Sequence, residues 1–384
     1  MRSKTTGSVL FPILFGFFVM GFVDVVGIAT NYVKQDFALS DTLANLLPMM
    51  VFLWFALFSI PAGIWMGRWG RRNTVLVSLG ITWVAMGLPL LAYRFDCLLI
   101  AFALLGIGNT ILQVSLNPMV AAVVRPDRVT SVLTAGQFLK AIASFLGPIL
   151  AAFTALYMGD WRWIFPVYAL TTLLAMAWVT WSIPNDKQPE GQSSNFASTC
   201  SLCRNRVVLM LLIGIVCIVG IDVGLNTSIP KLLMERLAMP LEEAGLGSSL
   251  YFAARTAGSF LGAIVLAHCA SRQFLRVSMA VALVAFAGFL MADSFMALAV
   301  LIVCIGLACS NVFSILFGFA LAEVPTRQNE VSALMIMGVS GGALLTPLMG
   351  LMADAFGQEA AFGLLGVCLV YIGWIAIKNK NRIK

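Results

Sequence analysis

The chain has 384 residues, 60% of them hydrophobic and only 11% charged, and a mean hydropathy of +0.96. These values exclude a soluble globular domain and make the bilayer the solvent. Its 24 Lys and Arg against 17 Asp and Glu give a net charge of +7, but the bases sit in short loops between apolar runs; that excludes a nucleic-acid patch and leaves membrane topology as their meaning.

A span needs about 20 mostly apolar residues. Runs of that length fall at 9–33, 43–66, 73–93, 97–124, 131–157, 162–183, 207–230, 245–269, 274–292, 295–322, 331–353 and 360–377. The fold class this predicts is an all-α membrane protein of twelve transmembrane helices. Arg2 and Lys4 precede the first run as in a signal peptide, but the run continues through Tyr32 without a small-residue cleavage site, so it is expected to be retained. Arg2, Lys4, Arg68, Arg71, Arg72, Arg125, Arg128, Arg204, Arg206, Arg272, Arg276, Arg327 and the tail from Lys378 collect on one side. The positive-inside rule then places both termini in the cytoplasm of a bacterial inner (plasma) membrane, which requires an even number of spans.

Residues 184–206 are polar and rich in Pro, Ser and Gly at their start, the composition of a cytoplasmic linker between a first half at 1–183 and a second at 207–384. The halves echo each other. Asp24 and Asp222, Asn109 and Asn311, and Ser131 and Ser332 are each separated by about 200 residues, which predicts two pseudo-symmetric six-helix bundles built as a parallel repeat.

An ionisable side chain at membrane depth costs at least about 2.5 kcal/mol unless it is paired or hydrated. Asp24, Lys140, Asp222 and Arg255 lie near the middle of spans one, five, seven and eight, whereas spans three, six, nine and twelve have no charged residue in their interiors. Those four spans are therefore expected to face lipid. Helical spacing aligns Asp24, Gly27 and Asn31 in span one, Asn109, Gln113 and Asn117 in span four, and Gln137, Lys140 and Ser144 in span five. Span seven adds Asp222 with Asn226, span eight adds Ser248, Arg255 and Gly258, and span ten adds Asn311 with Ser314. Converging, these stripes would make a wet cavity for a solute, with Asn31, Asn109, Gln113, Gln137, Lys140, Ser144, Asn226, Arg255 and Asn311 as its contacts. Asp24, and after it Asp222, are the candidates for proton coupling, since desolvation favours the neutral form of a carboxyl group. The alternative is a pair of structural ion pairs, Asp24 with Lys140 and Asp222 with Arg255, and amides that only glue helices together. Trp54, Phe138 and Tyr251 are candidates to stack on a sugar ring or, equally, to pack.

No cofactor or metal is expected. The cysteines are scattered, several of them inside apolar runs, and the single CxxC at Cys200 and Cys203 cannot complete a zinc site. The only histidine, His268, stands near a helix end, and no nucleophile motif appears, so an enzyme is not expected.

The stretch GIWMGRWGRR from Gly63 to Arg72 resembles the cytoplasmic GxxxDRxGRR signature of the major facilitator superfamily, with Gly67 in place of the Asp. Within that superfamily, residues 105–118 (LGIGNTILQVSLNP), the region of Gln137, residues 332–357 (SALMIMGVSGGALLTPLMGLMADAFG) and Arg255 in AARTAGSFLG are similar to the fucose:proton symporter family. The resemblance implies that Gln137 contacts a sugar and that an acid in span one, here Asp24, takes part in coupling. Three departures stand beside it. The better-known sugar symporters carry the span-one acid about a turn later, near Gly27; Gln113 stands where they have a Glu; and Lys140 replaces a neutral residue. The function expected is proton-coupled symport of a monosaccharide or a sugar acid of hexuronate or sialic acid type by alternating access, the partners being that solute, a proton and lipid, and the protein a monomer. A proton-driven exporter of amphipathic compounds, or a carrier of another small organic anion, is the alternative.

Overall fold

The computed structural model describes residues 6–39, 43, 46–184, 196–239, 241–356 and 358–378, and every regular element among them is helical. In hydrocarbon only a helix or a closed barrel satisfies its own backbone groups. Among the described residues, eleven helical stretches are long and apolar enough to cross a membrane. The remaining expected span is present but interrupted: Gln328–Met337 and Gly341–Phe356 are separated by a 3-10 turn at Gly338–Ser340. The chain thus has the twelve-helix, two-part architecture.

The repeat is visible in helix boundaries. Spans three and nine run Arg71–Leu91 and Ser271–Met291, spans four and ten Phe95–Val123 and Phe295–Glu323, and 3-10 turns follow at Pro126–Arg128 and Pro325–Arg327. Ala38 and Ala238, just past spans one and seven, share a left-handed φ of 50°. The repeat is inexact at span ten, which breaks at Ser310 and Asn311 where span four is continuous. One loop explains a glycine of the signature: spans two (Leu46–Trp69) and three are separated by Gly70 alone, at φ 81° and ψ 159°, a conformation open essentially only to glycine.

The four spans without interior charge carry large exposed apolar side chains, among them Trp83 and Val84, Leu170 and Leu174, Val281 and Val284, and Val367 and Val370. Such surface suits lipid.

The chain forms two compact units, and they do not coincide with the sequence halves. The first comprises Met1–Pro126, Gly136–Leu202 and Thr326–Met337; the second comprises Asp127–Ala135, Cys203–Pro325 and Gly338–Lys384. Inside the first unit, Ser332 Oγ donates to the Val114 carbonyl at 2.6 Å and Arg71 Nε donates to Asn329 Oδ1 at 3.0 Å. Inside the second, Ser131 Oγ donates to the Ala263 carbonyl at 2.7 Å. Residues 185–195 of the expected linker lie outside the described residues, but its remainder is ordered structure: Phe196–Ser201 is a helix whose Ser198 Oγ donates to Glu330 Oε1 at 3.1 Å.

Candidate functional site

In the first unit, span one is not a continuous α-helix. Thr6–Met20 and Val26–Asp36 flank a 3-10 stretch, Gly21–Val25, that carries Asp24. A 3-10 interruption inside a longer helix frees main-chain groups and often marks a functional hinge. Asn109 Nδ2 donates to the Met20 carbonyl at 2.6 Å, Gln113 Nε2 donates to Asn109 Oδ1 at 2.6 Å, and Asn117 Nδ2 donates to the Gln113 main-chain carbonyl at 2.9 Å. The amide stripe expected in span four therefore exists and bonds itself to the break in span one.

Span five (Val129–Tyr157) meets the break on another side. A Cβ on Gly21 would collide with the Lys140 carbonyl and stand 2.6 Å from Ala143 Cβ. This approach places Ser144 Oγ as donor to Asp24 Oδ2 and, at 2.9 Å, within reach of the Lys140 carbonyl. A hydroxyl has one proton and can accept as well as donate. With Asp24 ionised, the Ser144 proton serves the carboxylate. With Asp24 protonated, the carboxyl donates to Ser144, whose own proton turns to the Lys140 carbonyl. Both charge states are hydrogen-bonded without moving a helix.

The ion pair of Asp24 with Lys140 is not formed: among the described residues, the Lys140 ammonium has neither an ion pair nor a hydrogen bond. Lys140 and Gln137 are both half-buried. Gly27 is exposed, and a Cβ there would meet nothing within 4 Å. Asn31 lies in the helix Val26–Asp36, but its side chain is outside the described residues.

The second unit holds the other two charges, and there the ion pair is real. Arg255 Nη1 lies 2.5 Å from Asp222 Oδ2, and Tyr251 Oη donates to Asp222 Oδ1 at 2.7 Å. The paired side chains are 21% and 14% exposed. Tyr251 is fully buried, so it cannot stack on a sugar ring and acts through its hydroxyl instead. Asn226, one turn beyond Asp222, is exposed. Asn311 Nδ2 donates to the Gly258 carbonyl at 2.9 Å, next to the break in span ten.

Three of the expected solute contacts are buried in this structure. Asn109, Gln113 and Asn311 are 2%, 4% and 1% exposed; the Asn109 and Gln113 amides bond backbone and each other, whereas Asn311 donates to the Gly258 carbonyl and leaves its buried Oδ1 without a partner among the described residues.

With this geometry in hand, comparison with known proteins is decisive for the family. The sequence matches the Major Facilitator Superfamily over residues 12–240 and again over 211–381. The chain belongs to that superfamily. It is a multi-pass membrane transporter, not an enzyme. A glucose/galactose transporter of Brucella abortus is 24% identical over 396 residues, covering 97% of this chain and 94% of its relative. Among solved structures, FucP in its outward conformation matches with a TM-score of 0.86 at 18% identity, over 98% of this chain and 99% of that one. The proton:xylose symporter XylE matches at 0.75 and 15%, over 99% and 96%. At these identities the structural likeness speaks for the fold alone.

Sequence reasoning missed one residue of this superfamily member's first unit. Tyr168 of span six, 2% exposed, stacks on Phe22 of the 3-10 stretch with ring centroids 3.9 Å apart and planes 5° from parallel. Its hydroxyl is buried without a hydrogen-bond partner among the described residues. The sequence signal was weak, a lone tyrosine in a span expected to face lipid. Beyond span one, Asp36 accepts from the Tyr93 hydroxyl and, at 3.0 Å, from Trp161 Nε1. Burial first, and then the Asp36 carboxylate, push the Tyr93 phenol above its ordinary range.

Proposed function

We propose that the chain takes up a monosaccharide or sugar acid together with a proton by alternating access. It does so as a monomer in a bacterial inner membrane, with both termini cytoplasmic. The moving bodies in this reading are the halves 1–183 and 207–384, joined by 184–206. The observation that carries it is the Asp24 carboxyl at the break in span one, hydrogen-bonded to Ser144 beside a second acceptor at the Lys140 carbonyl. A carboxyl group that can gain or lose a proton within an intact hydrogen-bond set is what a coupling residue requires.

A sugar is supported by the relatives: the Brucella protein carries the name glucose/galactose transporter, and FucP and XylE are proton symporters for fucose and xylose. The acid form of the sugar is supported by Lys140, since a cation at membrane depth with no ion pair among the described residues gains most from an anionic solute. Within the first unit Asn31, Gln137 and Lys140 are proposed solute contacts, and within the second Asn226 and Arg255 are. Asp222 is the second candidate for coupling.

The test is counterflow of labelled hexoses and uronic acids in proteoliposomes at several pH values, with and without sodium. Accumulation driven by an inward proton gradient is the expected result. Uptake that follows sodium and ignores pH, or no exchange of any sugar or sugar acid, would overturn the proposal.

A further inference from the structure

The two repeat-related acids are held differently. Asp24 faces a hydroxyl, whereas Asp222 faces a guanidinium. A guanidinium has several N–H donors arranged as a planar fork that suits a carboxylate. Among the described residues, Asp222 is the only carboxylate within ion-pair distance of Arg255. The pair is neither sealed in protein nor open to water, with Arg255 21% and Asp222 14% exposed. Its hydrogen-bonding neighbour Tyr251 is locked by complete burial.

We propose that Asp222 occupies Arg255 as an internal stand-in for the carboxylate of the solute. Protonation of Asp222 releases the guanidinium, and a sugar carrying one carboxylate takes it over. This deepens the proposed function and rests on it, assigning the substrate class to sugar acids and a distinct role to the second acid. The only covalent change is a proton transfer: hydronium from the aqueous phase gives its proton to an Asp222 oxygen and leaves as water, the ion pair opens, and a new ion pair forms between Arg255 and the solute.

The physical argument is one of charge balance. A guanidinium at membrane depth cannot lose its proton at accessible pH, so it needs an anion at every stage of a cycle. Protonating Asp222 alone would strand it. Supplying an external carboxylate at the same moment does not, which makes the two events favour each other. Among the described residues, the titratable and charged groups that face Asp222 include Arg255 and Tyr251 from span eight and Cys309 from span ten. Of these, only Arg255 is a cation. A neutral hexose could accept hydrogen bonds from Arg255 but could not replace the lost charge, so it does not compete with ionised Asp222 in the same way.

Linkage then fixes the sign. The affinity for a sugar acid rises as pH falls through the titration of Asp222, and the affinity for a neutral sugar, which supplies no charge to Arg255, changes much less. The experiment is equilibrium binding of glucuronate and of glucose to the full-length protein in detergent across a pH series, for the wild type and Asp222→Asn. The variant is expected to bind glucuronate about tenfold more tightly than the wild type at neutral pH, with the pH dependence flattened and a much smaller change in glucose affinity. Should Asp222→Asn fold poorly, Tyr251→Phe removes one donor from Asp222 while keeping the ion pair, and is expected to tighten glucuronate about threefold at neutral pH. If the wild type binds glucose and neither variant gains glucuronate affinity, the inference falls while the sugar-transport proposal stands. If the wild type binds neither ligand and exchanges no sugar in proteoliposomes, both fall.

Discussion

Ser144 donates its hydroxyl proton to the Asp24 carboxylate while lying 2.9 Å from the carbonyl of Lys140. Removing that hydroxyl leaves ionised Asp24 without this donor, and a hydrogen bond to a charged group contributes about 1.5 to 3 kcal/mol. Loss of the bond favours the protonated form. Ser144→Ala is therefore expected to move the pH profile of proton-driven uptake toward higher pH. Ser144→Thr, which keeps a hydroxyl, should restore the original profile. An unmoved profile in Ser144→Ala would mean that the hydroxyl does not sense the charge of Asp24.

Asp24 itself should separate coupling from transport. Asp24→Asn keeps the shape and a hydrogen-bonding partner for Ser144 but cannot take up a proton. Proton-driven accumulation should disappear while solute exchange across the membrane remains measurable. A variant that still concentrates solute in response to a proton gradient would pass the coupling role to Asp222.

The close approach that sets this geometry can be tested by stability. A Cβ on Gly21 has no room, meeting the Lys140 carbonyl and the Ala143 side chain, whereas one on Gly27 meets nothing within 4 Å. Gly21→Ala should lower stability by about 1 to 3 kcal/mol through overpacking. Gly27→Ala should be neutral or stabilising by up to about 1 kcal/mol, since alanine is the better helix former. Thermal unfolding of the two variants in detergent measures the contrast; equal behaviour would mean that the break in span one does not depend on the contact at Gly21.

Much of this arrangement was legible in the residues. Charges at membrane depth are costly, so Asp24, Lys140, Asp222 and Arg255 announced themselves, and the i, i+4 spacing of Asn109 and Gln113 fixed their common face. The pairing was legible only in part. Asp222 with Arg255 was open as one alternative, and it forms. Asp24 with Lys140 had equal standing by composition, and it does not form, because the 3-10 turn at Gly21–Val25 presents the Asp24 carboxylate to Ser144 instead. Helical periodicity assumes a continuous helix, so a local change of helix type defeats it. The same assumption hid the breaks at Ser310 and Asn311 and at Gly338–Ser340. The assignment of Asp127–Ala135 and Thr326–Met337 across the sequence halves depends on tertiary packing, for which a sequence offset carries no signal.

Lys140 offers the sharpest test of solute charge in the first unit. It shares a helix face with Gln137 and Ser144, and among the described residues its ammonium has no anionic partner, since the Asp24 carboxylate is engaged by Ser144. A cation in that position contributes most when the solute brings a negative charge, and a charge-assisted hydrogen bond is worth about 1.5 to 3 kcal/mol, or about ten to a hundredfold in affinity. Binding of glucose and glucuronate should therefore be compared in the wild type and Lys140→Gln. The expected result is a loss of ten to a hundredfold, on the order of that single interaction, for glucuronate and little change for glucose. Lys140→Arg, which keeps the charge, should recover part of the loss. An equal loss for both ligands would instead mean that Lys140 serves the packing of spans one and five, and that the solute's charge is not read at this position.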